Sequence, residues 1–207
     1  MKKTLMVAAM FMALGTGSAM AAQGDSLGAG QITFLGQVDP GTCDVSVAQK
    51  GQTGVTSDGT VRLQTVTLDD MNTNGSTVQA AAAGLQPTDF AINVDCSKAQ
   101  DAGLTKVGLY MSSADLADTD GTLENNTNVT LGSTMKMAQG VNIAVHEVDG
   151  TTLSLVNMID HSDAHELTLT DSKGTYNLRA SYVKQPDATT ITSGAVATYS
   201  VYSVVYN

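Results

Sequence analysis

Gly30-Gln31-Ile32-Thr33-Phe34-Leu35-Gly36-Gln37-Val38 alternates as an extended chain does. Successive side chains of a β-strand point to opposite faces, so Gly30, Ile32, Phe34, Gly36 and Val38 share one face, apolar or bare. Gln31, Thr33 and Gln37 take the other, with Leu35 the exception. A loose run of Gly, Ser and Ala precedes this strand, so few covalent constraints fix where it docks. It pairs either with its own domain or with a neighbour.

Upstream, Lys2 and Lys3, the apolar run from Leu5 to Leu14, and Ala19-Met20-Ala21 have the order of an export signal. They predict removal of residues 1–21 and a mature start at Ala22, which leaves 186 residues, 207 minus 21. The apolar run is shorter than the ~20 residues a membrane-spanning helix needs. No later stretch is longer, so an exported chain without a membrane span is expected. That length suits one domain with a substantial core. Without Lys2 and Lys3, 8 basic residues face 20 acidic ones, a net charge of −12 for the mature chain. Nucleic acid and anionic membrane both need basic surface, so this charge argues against either as a partner. The two cysteines, Cys43 and Cys96, both lie in the exported part, where a disulfide is the expected state of such a pair. Two cysteines without a nearby histidine pattern argue against a metal site, and no cofactor is expected.

Downstream, Asp39-Pro40-Gly41-Thr42 is a turn and Cys43 to Val47 is extended again. Thr60 to Leu68 carries a strand signal with a shift of phase between Leu63 and Val66. Residues 71–84 have loop composition. Phe90, Ile92, Val94 and Cys96 alternate with polar or small residues, as do Val107, Leu109 and Met111. Asp115 to Asn128 is acidic, rich in Asn and without apolar period, which predicts an exposed loop. Val141, Ile143 and Val145, then Leu153 and Leu155, flank Asp149-Gly150, expected as the centre of a type I′ hairpin turn. Leu167 and Leu169, then Tyr176, Leu178, Ala180 and Tyr182, continue the alternation. No segment of twelve residues has helical period, so the chain is all-β, with seven or more short strands in a sandwich.

Two stretches allow a different chemistry. His161, Asp163 and His165 share one face of a strand and could hold a metal or position a base, although a polar turn explains them as well. Asp115, Asp118, Asp120 and Glu124 lack the alternate-position spacing of an EF-hand, so a solvated acidic loop is expected.

The last fourteen residues alternate once more. Gly194, Val196, Thr198, Ser200, Tyr202, Val204 and Tyr206 lie on one face, and Ala195, Ala197, Tyr199, Val201, Ser203 and Val205 on the other. Bulk on both faces predicts a strand covered on both sides. Gly194 fourteenth from the end with Tyr206 penultimate resembles the C-terminal strand of chaperone–usher fimbrial subunits (pilins) of Gram-negative bacteria. The resemblance extends to an apolar-x-Phe-x-Gly-x-apolar extension, here Ile32 to Val38, with the first cysteine, Cys43, a short distance on. It also covers the strand Phe90 to Cys96 and the Gly140 to Asp149 hairpin.

What the resemblance implies is an all-β fold, an incomplete immunoglobulin-like sandwich lacking its last strand, which a donor strand completes. It divides the chain into a removed signal peptide (1–21), an N-terminal extension or donor strand (22–38) and a pilin domain (39–207). Donor residues would be Gly30, Ile32, Phe34, Gly36 and Val38; the acceptor strand would carry Gly194, Val196, Thr198, Ser200, Tyr202, Val204 and Tyr206. The implied function is a structural, non-enzymatic subunit of a surface fimbria (pilus) that polymerises head to tail with identical or related pilin subunits. A periplasmic chaperone and an outer-membrane usher would be its other partners, and adhesion the use of the filament. The alternative is a minor adaptor or tip subunit with a carbohydrate-binding, adhesin role. A tip adhesin has no need of a donor strand, which Ile32 to Val38 supplies.

Overall fold

The computed structural model describes residues 30–33, 35–36, 43–49, 59–99, 104–129, 136–160 and 164–206. The expected signal segment, Phe34, Val38, the 39–42 turn, His161 and Asp163 lie outside them. For 30–36 the backbone pairing is described. No described helix is long and apolar enough to cross a membrane.

Two layers of strands enclose one core. The larger sheet has the order β3(Asp44–Gln49), β5(Leu85–Asp95), β11(Lys173–Lys184), β8(Val141–Asp149), β7(Leu123–Glu124), with β9(Thr152–Leu155) also on β8. The facing layer has two parts. In one, β1(Gly30–Thr33) lies between β4(Thr60–Leu63) and β12(Val196–Thr198); in the other the order is β10(His165–Thr168), β6(Lys106–Ser112), β13(Val201–Tyr206), β2(Leu35–Gly36). The alternating positions meet in the middle. Phe90, Ile92 and Val94 of β5 and Tyr176 and Leu178 of β11 are buried in one cluster with Val107, Leu109 and Met111 of β6. Tyr176 is large and polar at its tip, and its hydroxyl donates to Val107 O in the facing layer at 3.0 Å, so the phenol is buried without an orphaned group. Cys43 and Cys96 are joined, Cα to Cα 4.1 Å, tying the start of β3 to the end of β5.

Several local expectations are corrected. The strand read through to Leu68 ends at Leu63, and a short helix, α1(Leu68–Thr73), follows. Thr67 caps it by accepting from Asp70 N at 3.0 Å, and Asp69 and Asp70 sit in the first turn, where acidic residues suit the helix dipole. β5 starts five residues before Phe90 and runs through Pro87. The ladder to β11 shifts there, Thr88 facing Ala180 but Leu85 facing Tyr182, with Gln86 at φ 47°. Pro87 has no N–H to give the ladder, so a bulge absorbs it. The β8–β9 hairpin turns on Gly150-Thr151, one residue later than expected: Asp149 pairs with Thr152, and Gly150 has φ +60°. A positive φ at the first central position alone is the type II′ pattern, not I′. A second tight turn, at Asp171-Ser172 with φ 51° and 62°, joins Thr170 to Lys173 and went unread in the sequence.

Residues 76–84 are a loop, as expected, without helix or strand and largely exposed, and tied down at three points: Gln79 O lies 2.8 Å from His146 Nε2, Leu155 N donates to Ala80 O, and Lys184 N donates to Ser76 O. The largest correction concerns the acidic segment, which is packed rather than exposed. Leu116, Asp118, Thr122 and Leu123 are buried, and Asn142 Nδ2 donates to Asp118 Oδ2 at 2.7 Å and to Thr122 Oγ1 at 2.8 Å. Residues on both faces of β8 are buried: Val141, Ile143 and Val145 in the core, and Asn142, Ala144 and His146 on the other side, where Asn142 bonds Asp118 and Thr122 and His146 meets Gln79 O.

Candidate functional site

β1 occupies an interior place in its sheet although it comes first in the described chain. Gly30, Gln31 and Ile32 run parallel to Val196, Ala197 and Thr198 on one side, and antiparallel to Leu63, Arg62 and Val61 on the other. β4 and β12 share no pairing of their own among the described ladders. Without residues 30–33 the two strands would therefore face each other across a slot one strand wide, ~10 Å from backbone to backbone at ordinary sheet spacing. The same parallel register resumes beyond position 34, with Leu35 beside Val201 and Gly36 beside Tyr202. A constant offset means no residue is gained or lost between Gly30 and Gly36.

The last strand is two strands rather than one. β12 ends at Thr198, and β13 starts at Val201 and pairs on its other side with β6, from Val201 with Ser112 to Tyr206 with Val107. The expected inward phase survives the break: Val196, Thr198, Ser200 and Tyr202 are all buried, and Val204 packs against the core. Of the predicted donor segment, the described backbone of Gly30, Gln31 and Ile32 and of Leu35 and Gly36 lies beside the C-terminal strands, while Phe34 and Val38 fall outside the described residues. The Thr198 and Ser200 hydroxyls are 3% and 0% exposed by residue and have no hydrogen-bond partner. Each such desolvated hydroxyl costs on the order of 1–3 kcal/mol.

Gly194 lies just before β12 for a reason of space. A Cβ there would lie 2.5 Å from both Ala138 N and Lys136 O, because residues 136–138 cross directly over it. That crossing is tied by Ala195 N to Lys136 O and by Ala138 N to Ala195 O, both 2.8 Å. Asn125 completes it: its Nδ2 donates to Ala138 O at 2.7 Å and to Ala195 O at 3.0 Å, and its Oδ1 accepts from Ala197 N at 2.8 Å. In the sequence Asn125 is one Asn of the Asp115 to Asn128 segment, and no local signal distinguishes a residue whose partners lie 13 and 70 positions away. At this end of the slot a cavity of about 310 Å³ is lined by Leu68 and Met71 of α1 with Ala138, Val141, Ile191 and Val196.

Burial raises the phenol of Tyr202 and pushes that of Tyr182 up to about 12 from an ordinary 10.0. Tyr176 is raised by burial and then by Glu147 and Glu166. A phenol raised on folding contributes stability that is whole below its unfolded value and is lost as pH climbs through the folded one. The fold is therefore expected to weaken from about pH 10 upward, with ultraviolet difference absorbance of the phenolates and loss of circular dichroism rising together. Phenolates that form well before the fold loosens would contradict this.

The residues proposed for other chemistry are differently engaged. His165 Nδ1 lies 2.5 Å from Glu147 Oε2, and Lys106 reaches Glu166 at 3.2 Å. Asp118 serves Asn142, and Asp120 accepts from Thr122. Burial, then Asp118, raises Glu124. Among the described residues no three His, Cys, Asp or Glu side chains are grouped to hold a metal ion.

A family model described as Fimbrial protein matches residues 32–207. The major fimbrial subunit of Haemophilus influenzae is 30% identical over 158 residues, a match covering 73% of this chain and 64% of that protein. The chain thus spans slightly under two thirds of that relative's length. The crystal structure of the P pilus rod subunit PapA is similar in fold, with a TM-score of 0.50 at 14% identity, over 78% of this chain and 99% of that one.

Proposed function

The chain belongs to the fimbrial protein family, and we propose that it is a structural subunit of a surface fimbria that polymerises by donor-strand complementation and supports bacterial adhesion. The observation that carries this is the strand-wide slot between β4 and β12 in a chain that also supplies an extension fitting such a slot. Slot and extension are different surfaces of one subunit, so a contact between copies is heterologous and does not close on itself; repeated, it makes a filament. Ile32, Phe34, Gly36 and Val38, with Gly30 next in phase, act as donor residues. Gly194, Val196, Thr198, Ser200, Tyr202, Val204 and Tyr206 mark the acceptor strand. Residues 1–21 are removed on export, 22–38 form the extension and 39–207 the pilin domain. A periplasmic chaperone and an outer-membrane usher receive the subunit on its way to the cell surface. The role is mechanical rather than catalytic.

Donor-strand contacts bury long β edges and dissociate slowly, so kinetic stability reports them. Material sheared from the cell surface should run as a ladder in detergent without heating and collapse to monomer after harsh heating. A monomer in both lanes overturns the proposal.

A further inference from the structure

β4 ends its sheet: among the described residues it has β1 along one edge and no ladder on the other. A strand of four residues with an open edge is a weak wall for a slot that must hold a partner strand. A side chain closes that edge. Gln49 Nε2 donates to Arg62 O at 2.7 Å, and Arg62 N donates to Gln49 Oε1 at 3.0 Å. We infer that Gln49 is the positioning residue of the slot: its carboxamide stands in for a neighbouring strand and holds β4 where a donor strand can pair with it. The inference rests on the polymerisation proposed above.

Three observations support it. The match is to backbone: a carboxamide offers donor and acceptor in one plane, as a peptide does, and Arg62 uses both. The geometry also leaves the slot side free. The N–H and C=O of one strand residue point to the same edge, and those of the next residue to the other. Arg62 turns its pair to Gln49, so Val61 and Leu63, in register with Ile32 and Gly30, turn theirs to the slot. Finally, the clamp is firmly mounted. Gln49 ends β3 in register with buried Phe90 of β5, and the Cys43–Cys96 bridge ties the other end of that strand. β3 belongs to the larger sheet and β4 to the facing layer, so the amide joins the two layers at the rim of the sandwich. Without it, the burial of Thr60, Val61 and Leu63 is left to hold β4. The arrangement that accepts a donor is then less populated, and a donor strand is retained less well in proportion.

The test compares the wild-type chain with Gln49→Met, which keeps the length and loses both hydrogen bonds, and with Gln49→Glu, whose carboxylate accepts from Arg62 N but has no proton for Arg62 O. In the purified mature chain, Gln49→Met should speed hydrogen exchange of the Arg62 amide at least tenfold and leave the amides of Ile92 and Leu178 within twofold. Unchanged exchange at Arg62 overturns the clamp. Faster exchange at all three makes Gln49 a general stabiliser and overturns the positioning role. In material sheared from the cell surface, the half-life of the ladder in detergent at a fixed temperature should fall at least fivefold for both variants near neutral pH. Below the ordinary Glu value of about 4.3 the Gln49→Glu side chain gains a proton to donate. Its half-life relative to wild type should then recover to within twofold, and that of Gln49→Met should not. A ratio indifferent to pH overturns the hydrogen-bonding role, and half-lives equal to wild type overturn the role in strand retention. No ladder from any of the three chains fails the polymerisation reading instead, and exchange at Arg62 then decides the clamp by itself.

Discussion

Cys96→Ser is expected to lower the unfolding free energy by about 2–5 kcal/mol, the usual consequence of losing a native disulfide from an exported domain. The bridge spans 53 residues, for which the chain-entropy model gives roughly 4 kcal/mol through its restriction of the unfolded chain. Local structure adds to this. Among the described residues β3 is an edge strand whose ladder is to β5, from Asp44 with Asp95 to Gln49 with Phe90, and the bridge ties its start. Total stabilities of ~5–15 kcal/mol leave little reserve after such a loss, and the core has no Trp to compensate. Denaturant titration of Cys43→Ser, Cys96→Ser and the double variant should give nearly the same loss for all three. Unchanged midpoints, or free thiols in the wild-type chain, contradict it.

Gly194→Ala is expected to destabilise the monomer by about 1–3 kcal/mol or more and to abolish the heat-sensitive ladder. Its new methyl would meet two backbone atoms at 2.5 Å, Ala138 N and Lys136 O. Backbone has no rotamer to yield, so the 136–138 crossing must lift from β12 and take the Asn125 bonds with it. Gly150→Asn is the contrast. Nothing lies within 4 Å of a Cβ at Gly150, only its φ of +60° is at issue, and Asn follows Gly among the residues used at the positive-φ positions of such hairpin turns. Thermal unfolding should separate the two, with Gly150→Asn within about 1 kcal/mol of the wild type. A Gly194→Ala chain as stable as Gly150→Asn would show that the crossing adjusts freely.

Much of the fold was legible because its strands alternate. Phe90 to Cys96, Val107 to Met111 and Tyr176 to Tyr182 each bury the predicted phase, and the two cysteines meet. What failed locally had local causes. Thr67 and the acidic pair Asp69 and Asp70 favour a helix start over the strand that Val66 and Leu68 suggested, and the strand whose alternation was read from Phe90 begins at Leu85 because a bulge takes in Pro87. The acidic segment failed for a different reason. Its composition is that of a solvated loop, but Asn142 and Thr122 supply partners that let Asp118 be buried.

By itself the sequence determined the class of structure, the phase of each main strand, and the two segments, Gly30 to Val38 and Gly194 to Tyr206, on which the function was argued. Those are period-2 and turn signals, carried by residues close in the chain. Only the tertiary structure decided that β1 is interior rather than an edge, that the last strand breaks between Thr198 and Val201, and that Asn125 pins it. Each depends on which backbone groups face one another across long stretches of chain, from Gly30 with Val196 to Asn125 with Ala195. Backbone hydrogen bonding is the same for every residue but proline, so the sequence carries no local mark of where those bonds are made.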